Sequence, residues 1–234
     1  MGIFISVIIL FLSMLILFFM QLPSGTFALF YHYALGKTNA KKADDKSLSF
    51  ILGTEIFSAT LWILVYFLTF LFSYYAINLT TIFFYIFAGI FFAEALATFL
   101  FYYRKGKSTA LFIPRNLAKS IMSHAENVKN RSDCVALGAF ISLFELIFTL
   151  PLYIISASVL INLDGTLRIF LIAALVLSSI LPLFIIRFSF RLGHNLADIE
   201  RFRVKIKPIV KLMLFFSFLA LSLVAIYLGV KSNG

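Results

Sequence analysis

Three carboxylates stand inside otherwise apolar stretches of this sequence: Glu55, Glu94 and Glu145. A charged side chain at the bilayer centre costs at least about 2.5–3.5 kcal/mol on insertion scales, so such residues face a bundle interior and mark proton or ion pathways. The plainer reading is a protonated Glu hydrogen-bonded to a neighbouring helix. Counting along the chain places Glu94 and Glu145 near the midplane and Glu55 nearer one side. Pro23 and Pro151 interrupt two of the same stretches. Each removes a backbone donor and frees a carbonyl one turn earlier, which lipid cannot satisfy. With the neighbouring hydroxyls they outline a candidate pathway of Pro23, Ser24, Glu94, Glu145, Thr149 and Pro151. Hydroxyl, carboxylate and freed carbonyl oxygens suit a hard cation in passage. The alternative is that these Ser and Thr residues, with Thr26, Ser58, Thr60 and Ser142, pack helices closely or bond their own backbone.

Other reactive side chains are isolated. Cys134 is the one cysteine, which excludes an intramolecular disulfide, a dithiol relay and a cysteine-rich zinc site. It reads as a small thiol kept reduced inside the cell. His32 lies between Tyr31 and Tyr33, an arrangement that suits an interfacial aromatic belt. His124 and His194 stand in basic segments with no Cys or His at metal-ligand spacing. Asn78-Leu79-Thr80 is a glycosylation sequon close to an expected membrane face. The sequence holds no P-loop, dinucleotide fingerprint, metalloprotease motif or nucleophile–base pair. No enzyme activity, cofactor or resident metal is expected.

The elements that position these residues must be membrane helices. Of 234 residues, 62% are hydrophobic and 13% charged, against roughly 45–50% and about 25% in a soluble domain. A soluble fold of this size lacks the interior to hide so much apolar surface. That excludes a soluble globular enzyme, a disordered chain and a disulfide scaffold. A crossing needs about 20 apolar residues, and six runs meet that length. They are residues 3–35, 47–72, 79–103, 135–161, 167–186 and 209–230. The expected fold is an all-α bundle of six transmembrane helices in one membrane domain. Three spans followed by three of opposite direction form two inverted repeats, about 1–104 and 135–234, joined by a basic linker at about 104–134. Helices 1 and 4 are expected to kink or break at their prolines. Within the linker, 114–129 has helical spacing of its apolar residues. It reads as a basic surface helix or as a docking surface for a soluble protein.

Charge sets the expected direction. The net charge is +10, and four, seven and seven of the 20 Lys and Arg residues fall in three alternate loops. Only Arg168 and Lys231 fall on the other side. The positive-inside rule then puts both termini outside the cytoplasm of a cell membrane and the basic loops within it. There they would attract anionic lipids, so no nucleic-acid partner is needed to explain the basicity.

Several short segments resemble the transmembrane family of cytochrome c biogenesis and thiol–disulfide interchange proteins, the CcdA/DsbD type within the LysE-like transporter group. Gln21-Leu22-Pro23-Ser24-Gly25 is similar to the Asn-Pro-Cys turn of that family's first helix. Lys41-Lys42 and Ser49-Phe50-Ile51-Leu52-Gly53 resemble its basic loop and the start of its second helix. Phe112-Ile113-Pro114-Arg115 resembles a segment of the central loop. Gly138 to Leu146 resembles the start of the fourth helix. The resemblance implies a transporter-like fold of inverted repeats, but Ser24 and Phe148 stand where the two redox cysteines belong. Thiol–disulfide exchange needs a thiolate attacking a disulfide, so the family's electron relay would be lost. Two functions follow as expectations. One is movement of a small solute or ion through the repeat interface, and the other is a non-transporting membrane anchor or scaffold for a partner protein.

Overall fold

The computed structural model describes residues 3–35, 40–75, 80–100, 130–191 and 196–233. Side chains are described for 4–22, 44–74, 81–100, 130–189, 201 and 204–231. Six helices account for nearly all of this: α1 (Ile3–Leu35), α2 (Ala40–Tyr75), α3 (Thr80–Leu100), α4 (Arg131–Leu160), α5 (Gly165–Arg191) and α6 (Leu196–Asn233). Each contains a stretch long and apolar enough to cross a membrane, and no strand occurs among the described residues. Helices satisfy every backbone group within one segment, which is what an apolar solvent demands.

Two helices begin well before their apolar runs. α2 starts at Ala40 rather than 47, and α6 at Leu196 rather than 209. The added turns, such as Ala40-Lys41-Lys42-Ala43-Asp44-Asp45-Lys46, are good helix formers but charged. An apolar-run criterion sees the membrane-embedded part and misses these extensions. The start of α4 is fixed locally, where the Asn130 N–H donates to Asp133 Oδ2 at 3.0 Å. At its other end the chain turns through Ile161–Leu163. The Arg168 guanidinium folds back to cover the carbonyls of Ile161 and Leu163, at 3.2 and 2.6 Å. Those carbonyls would otherwise lack partners at the helix terminus.

Neither proline-containing helix is divided in two. α1 runs as one element from Ile3 to Leu35, and Pro151 lies inside a continuous α4. Pro182 and Pro208 likewise lie inside α5 and α6. The side chains of Pro23, Ser24, Thr26 and His32 lie outside the described residues, as do 101–129, Asn78 and His194.

Packing ignores chain order. α2 packs chiefly on α4, α3 on α6, and α1 on α5 and α6, whereas the consecutive pairs α1–α2 and α4–α5 touch little. Residue pairs give the directions. Asp45 meets Arg131 near the start of both α2 and α4, and Ser142 Oγ donates to the Thr54 carbonyl at 3.2 Å, so α2 and α4 are parallel. Asp44 meets Arg187, and Tyr66 meets Arg168, so α2 and α5 are antiparallel. Ser222 Oγ donates to the Ala88 carbonyl at 2.9 Å and the Phe91 and Phe218 rings stack, so α3 and α6 are antiparallel.

The α2–α4 contact is backbone to backbone. A Cβ on Gly53 would collide with the Val135 backbone, and one on Gly138 with the backbones of Phe50 and Thr54. Small residues allow this approach where lipid supplies no hydrophobic drive for association. Cys134 is buried at this end of α4, a free thiol. The core is apolar and aromatic, with Phe87, Phe91 and Phe218 in series. The outside is apolar too, with Phe4 77% and Ile147 71% exposed. An apolar exterior around a core that holds buried carboxylates suits a chain solvated by lipid.

Candidate functional site

One group of buried polar side chains gathers where α1, α2, α4 and α5 meet. Glu145, Thr149 and Tyr153 recur every four residues on α4 and so share one face. All three are buried. Opposite them on α1 lies Gln21, also buried, whose Nε2 donates to Glu145 Oε2. An amide has two N–H donors and a carboxylate only acceptors, so this pairing satisfies a group that lipid could not. Tyr153 has the Ser58 and Thr149 hydroxyls as hydrogen-bond partners, with Glu55 and Glu145 both within electrostatic range.

Glu55 projects from α2 toward α5. Ser179 Oγ lies 3.2 Å from Glu55 Oε2 and 2.8 Å from the Val176 carbonyl, so its one proton can serve only one acceptor at a time. Glu55 Oε1 and Trp62 Nε1 are buried without a hydrogen-bond partner among the described residues. Both residues line a small cavity with Leu17, Ser58, Tyr153 and Ser179. Its volume, about 10 Å³ measured at water centres, gives room for one water at most. The cluster therefore consists of two carboxylates, one phenol, three hydroxyls, one amide and one indole in a largely buried setting. It offers oxygen acceptors and exchangeable protons, and too little open volume for an organic solute.

The structure sorts the residues expected from sequence. Glu145 and Thr149 belong to the cluster, and Pro151 is buried on the same helix. Glu94 is buried on α3, the helix that packs chiefly on α6. Its Oε2 has no hydrogen-bond partner among the described residues. The carboxylate that shares Tyr153 with Glu145 is Glu55, which depth counting puts nearer one side. Pro23 and Ser24 fall outside the described side chains. Gln21, Tyr153, Trp62 and Ser179 enter the cluster without having stood out as chemistry. Gln21 was legible as the one amide in an apolar run, and Tyr153 as the next step of the four-residue spacing from Glu145. Among the described residues, no group of three or more His, Cys, Asp and Glu is placed to hold a metal ion.

No protein-family model matches the chain, and no curated protein or solved structure matches it either.

Proposed function

We propose that this chain is a multi-pass membrane transporter of the inverted-repeat kind. In this reading the Gln21–Glu145 and Glu55–Ser179 cluster carries a proton or small cation between the two sides. One observation carries the reading: both hydrogen bonds join residues 124 positions apart. The same offset takes 3–35 to 127–159, 40–75 to 164–199 and 80–100 to 204–224. These ranges fall largely on α4, α5 and α6. The packing follows the same exchange, because α2 on α4 becomes α5 on α1, and α3 on α6 becomes itself. Contacts between equivalent residues of two repeats lie on the axis that relates them, which is where inverted-repeat transporters place their site. Buried carboxylates at such an axis are proton or ion carriers by default. The short segments similar to the CcdA/DsbD and LysE-like families agree with this architecture, without the thiol chemistry. The reading includes no catalysis and no cofactor.

Orientation belongs to the same proposal. The basic loops face the cytoplasm against anionic lipid, and both termini face outward from a cell membrane. Reporter fusions at Gly234 and in the 37–46 loop test it, and a cytoplasmic signal at Gly234 would reverse it.

The direct test is flux. Purified protein in liposomes should dissipate an imposed proton or alkali-cation gradient, and Glu145→Gln should abolish that flux in a folded protein. A second reading, a non-transporting scaffold for a partner protein, is favoured by the tight Gly53/Gly138 interface and the small volume beside the cluster. It predicts no flux for wild type, whatever gradient is imposed.

A further inference from the structure

A much larger cavity lies away from the carboxylates, at the end of the bundle where α2 and α4 finish. It has a volume of about 780 Å³, within the range of small-molecule sites. It is lined by residues of α2, α3, α4 and α6 and by Ile9 of α1, and the Phe72 and Phe83 rings meet edge to face across α2 and α3. α2 and α3, though consecutive, are not packed side by side along their length. Its lining is almost wholly apolar. The hydroxyls of Thr69, Ser73 and Ser158 and the Asn162 amide donate to carbonyls of their own helices, at 2.7, 2.8, 2.9 and 2.8 Å. That leaves the exposed Lys231 as the one charge among the described lining residues, at the same end as Ser73 and Asn162.

We propose that this groove holds one acyl chain of a phospholipid, with the phosphate paired to the Lys231 ammonium. Three features point to that occupant. Along α4 the lining runs from Leu150 to the helix end, with Ile161 and Asn162 in the turn beyond, roughly 15 Å of helix at 1.5 Å per residue. One leaflet contributes about half of a 30 Å hydrocarbon core, so the groove matches a single leaflet in depth. A partner's transmembrane helix would need about 20 residues spanning both leaflets, and half of it would lie beyond the groove. The charge stands at the aqueous end, where a headgroup belongs, and an ammonium attracts a phosphate there. This assignment is independent of whether the central cluster conducts.

The test uses the full chain in nanodiscs containing phosphatidylglycerol with a photoreactive group in one acyl chain. Irradiation should place adducts mainly on residues 65–73 and 150–162. Lys231→Gln should lower the adduct yield and the lipid retained through purification, by about fivefold. Ile154→Trp, which fills the back of the groove, and Thr69→Phe, which fills the opposite wall, should each lower adducts there. Size exclusion and helical circular dichroism identify any variant that misfolds, and the wild-type map needs no variant. Equal adduct yield on lipid-facing Ile169, Phe170 and Phe216 would overturn the proposal. So would retention unchanged by Lys231→Gln, or chain-to-chain cross-links at this face that put a second copy in the groove.

Discussion

Glu145→Gln keeps the size of a side chain and removes its charge, so it separates carrying from packing. The Gln21 amide can still donate to the new side-chain carbonyl, and the fold should survive. If the cluster conducts, flux in liposomes should disappear. Glu145→Leu instead leaves a buried amide without its acceptor, which should cost about 1–3 kcal/mol, read as a lower unfolding midpoint in detergent. A Gln variant that conducts normally would leave Glu145 a structural hydrogen-bonder. Cys134 offers a contrast at the same scale. The thiol is buried beside the α2–α4 contact, and it has no second cysteine to pair with. Cys134→Ala should keep any flux, and maleimide should label the wild-type thiol only after unfolding. Fast labelling of the folded protein would show that this helix pair opens. Residue chemistry was partly legible in the chain, because a Glu in an apolar run is conspicuous wherever it falls. Its partners were not, because Gln21 lies 124 positions from Glu145 and nothing local announces that contact.

At the scale of elements, lipid solvation makes α2 and α4 associate by shape. Gly53 and Gly138 face each other's helix, and each lacks the space for a methyl group. Gly138→Ala should force the pair apart and destabilise by about 1–3 kcal/mol, the usual range for overpacking. Gly89 supplies the control, since a Cβ there meets nothing within 4 Å. Gly89→Ala in a helix interior should be neutral or stabilising by about 0.5–1 kcal/mol. Thermal melts of the two variants in one detergent decide it, and equal melting temperatures would sink the close-packing account. Six apolar helices were legible because each apolar run exceeds a bilayer crossing. The charged first turns of α2 and α6 were not, because their helicity comes from propensity rather than hydropathy. Nor was the role of Gly53, since a helical glycine shows its purpose only when the facing backbone is known. A kink or a break was expected at the prolines, and α4 is not broken at Pro151. Loss of one backbone hydrogen bond at Pro151 did not divide α4, because the neighbouring turns keep their own bonds.

Across the whole molecule, the two ends are built differently. At one end Arg187 forks onto Asp44, with Nε–Oδ1 and Nη2–Oδ2 distances of 3.0 and 3.1 Å, and Arg131 meets Asp45. These pairs tie the start of α2 to α5 and to α4. The Asp44–Arg187 pair is the drier, at 19% and 12% side-chain exposure, so it is the one with a stability consequence. At the other end, α2 and α3 touch through the Phe72 and Phe83 rings and otherwise stand apart beside the apolar groove. If the chain is a carrier, it must close one end while it opens the other, and the bidentate pair would then fasten the closed end. Charge alternation along the chain set an expected direction for each of the six spans. Which helices pack together was not legible, because only three-dimensional contacts reveal that α2 rests on α4 rather than on α1. This arrangement makes a prediction about motion. In a Cys134→Ala background, Asp44→Cys with Arg187→Cys should be bridged by a short bis-maleimide. If the end must open for each transport cycle, bridging should stop flux, while the unbridged double variant still conducts. A longer, flexible bridge between the same positions should restore part of the rate, which separates restraint from damage. Undiminished flux with the short bridge in place would show that this end does not open, and would confine any ion movement to proton transfer through a static cluster.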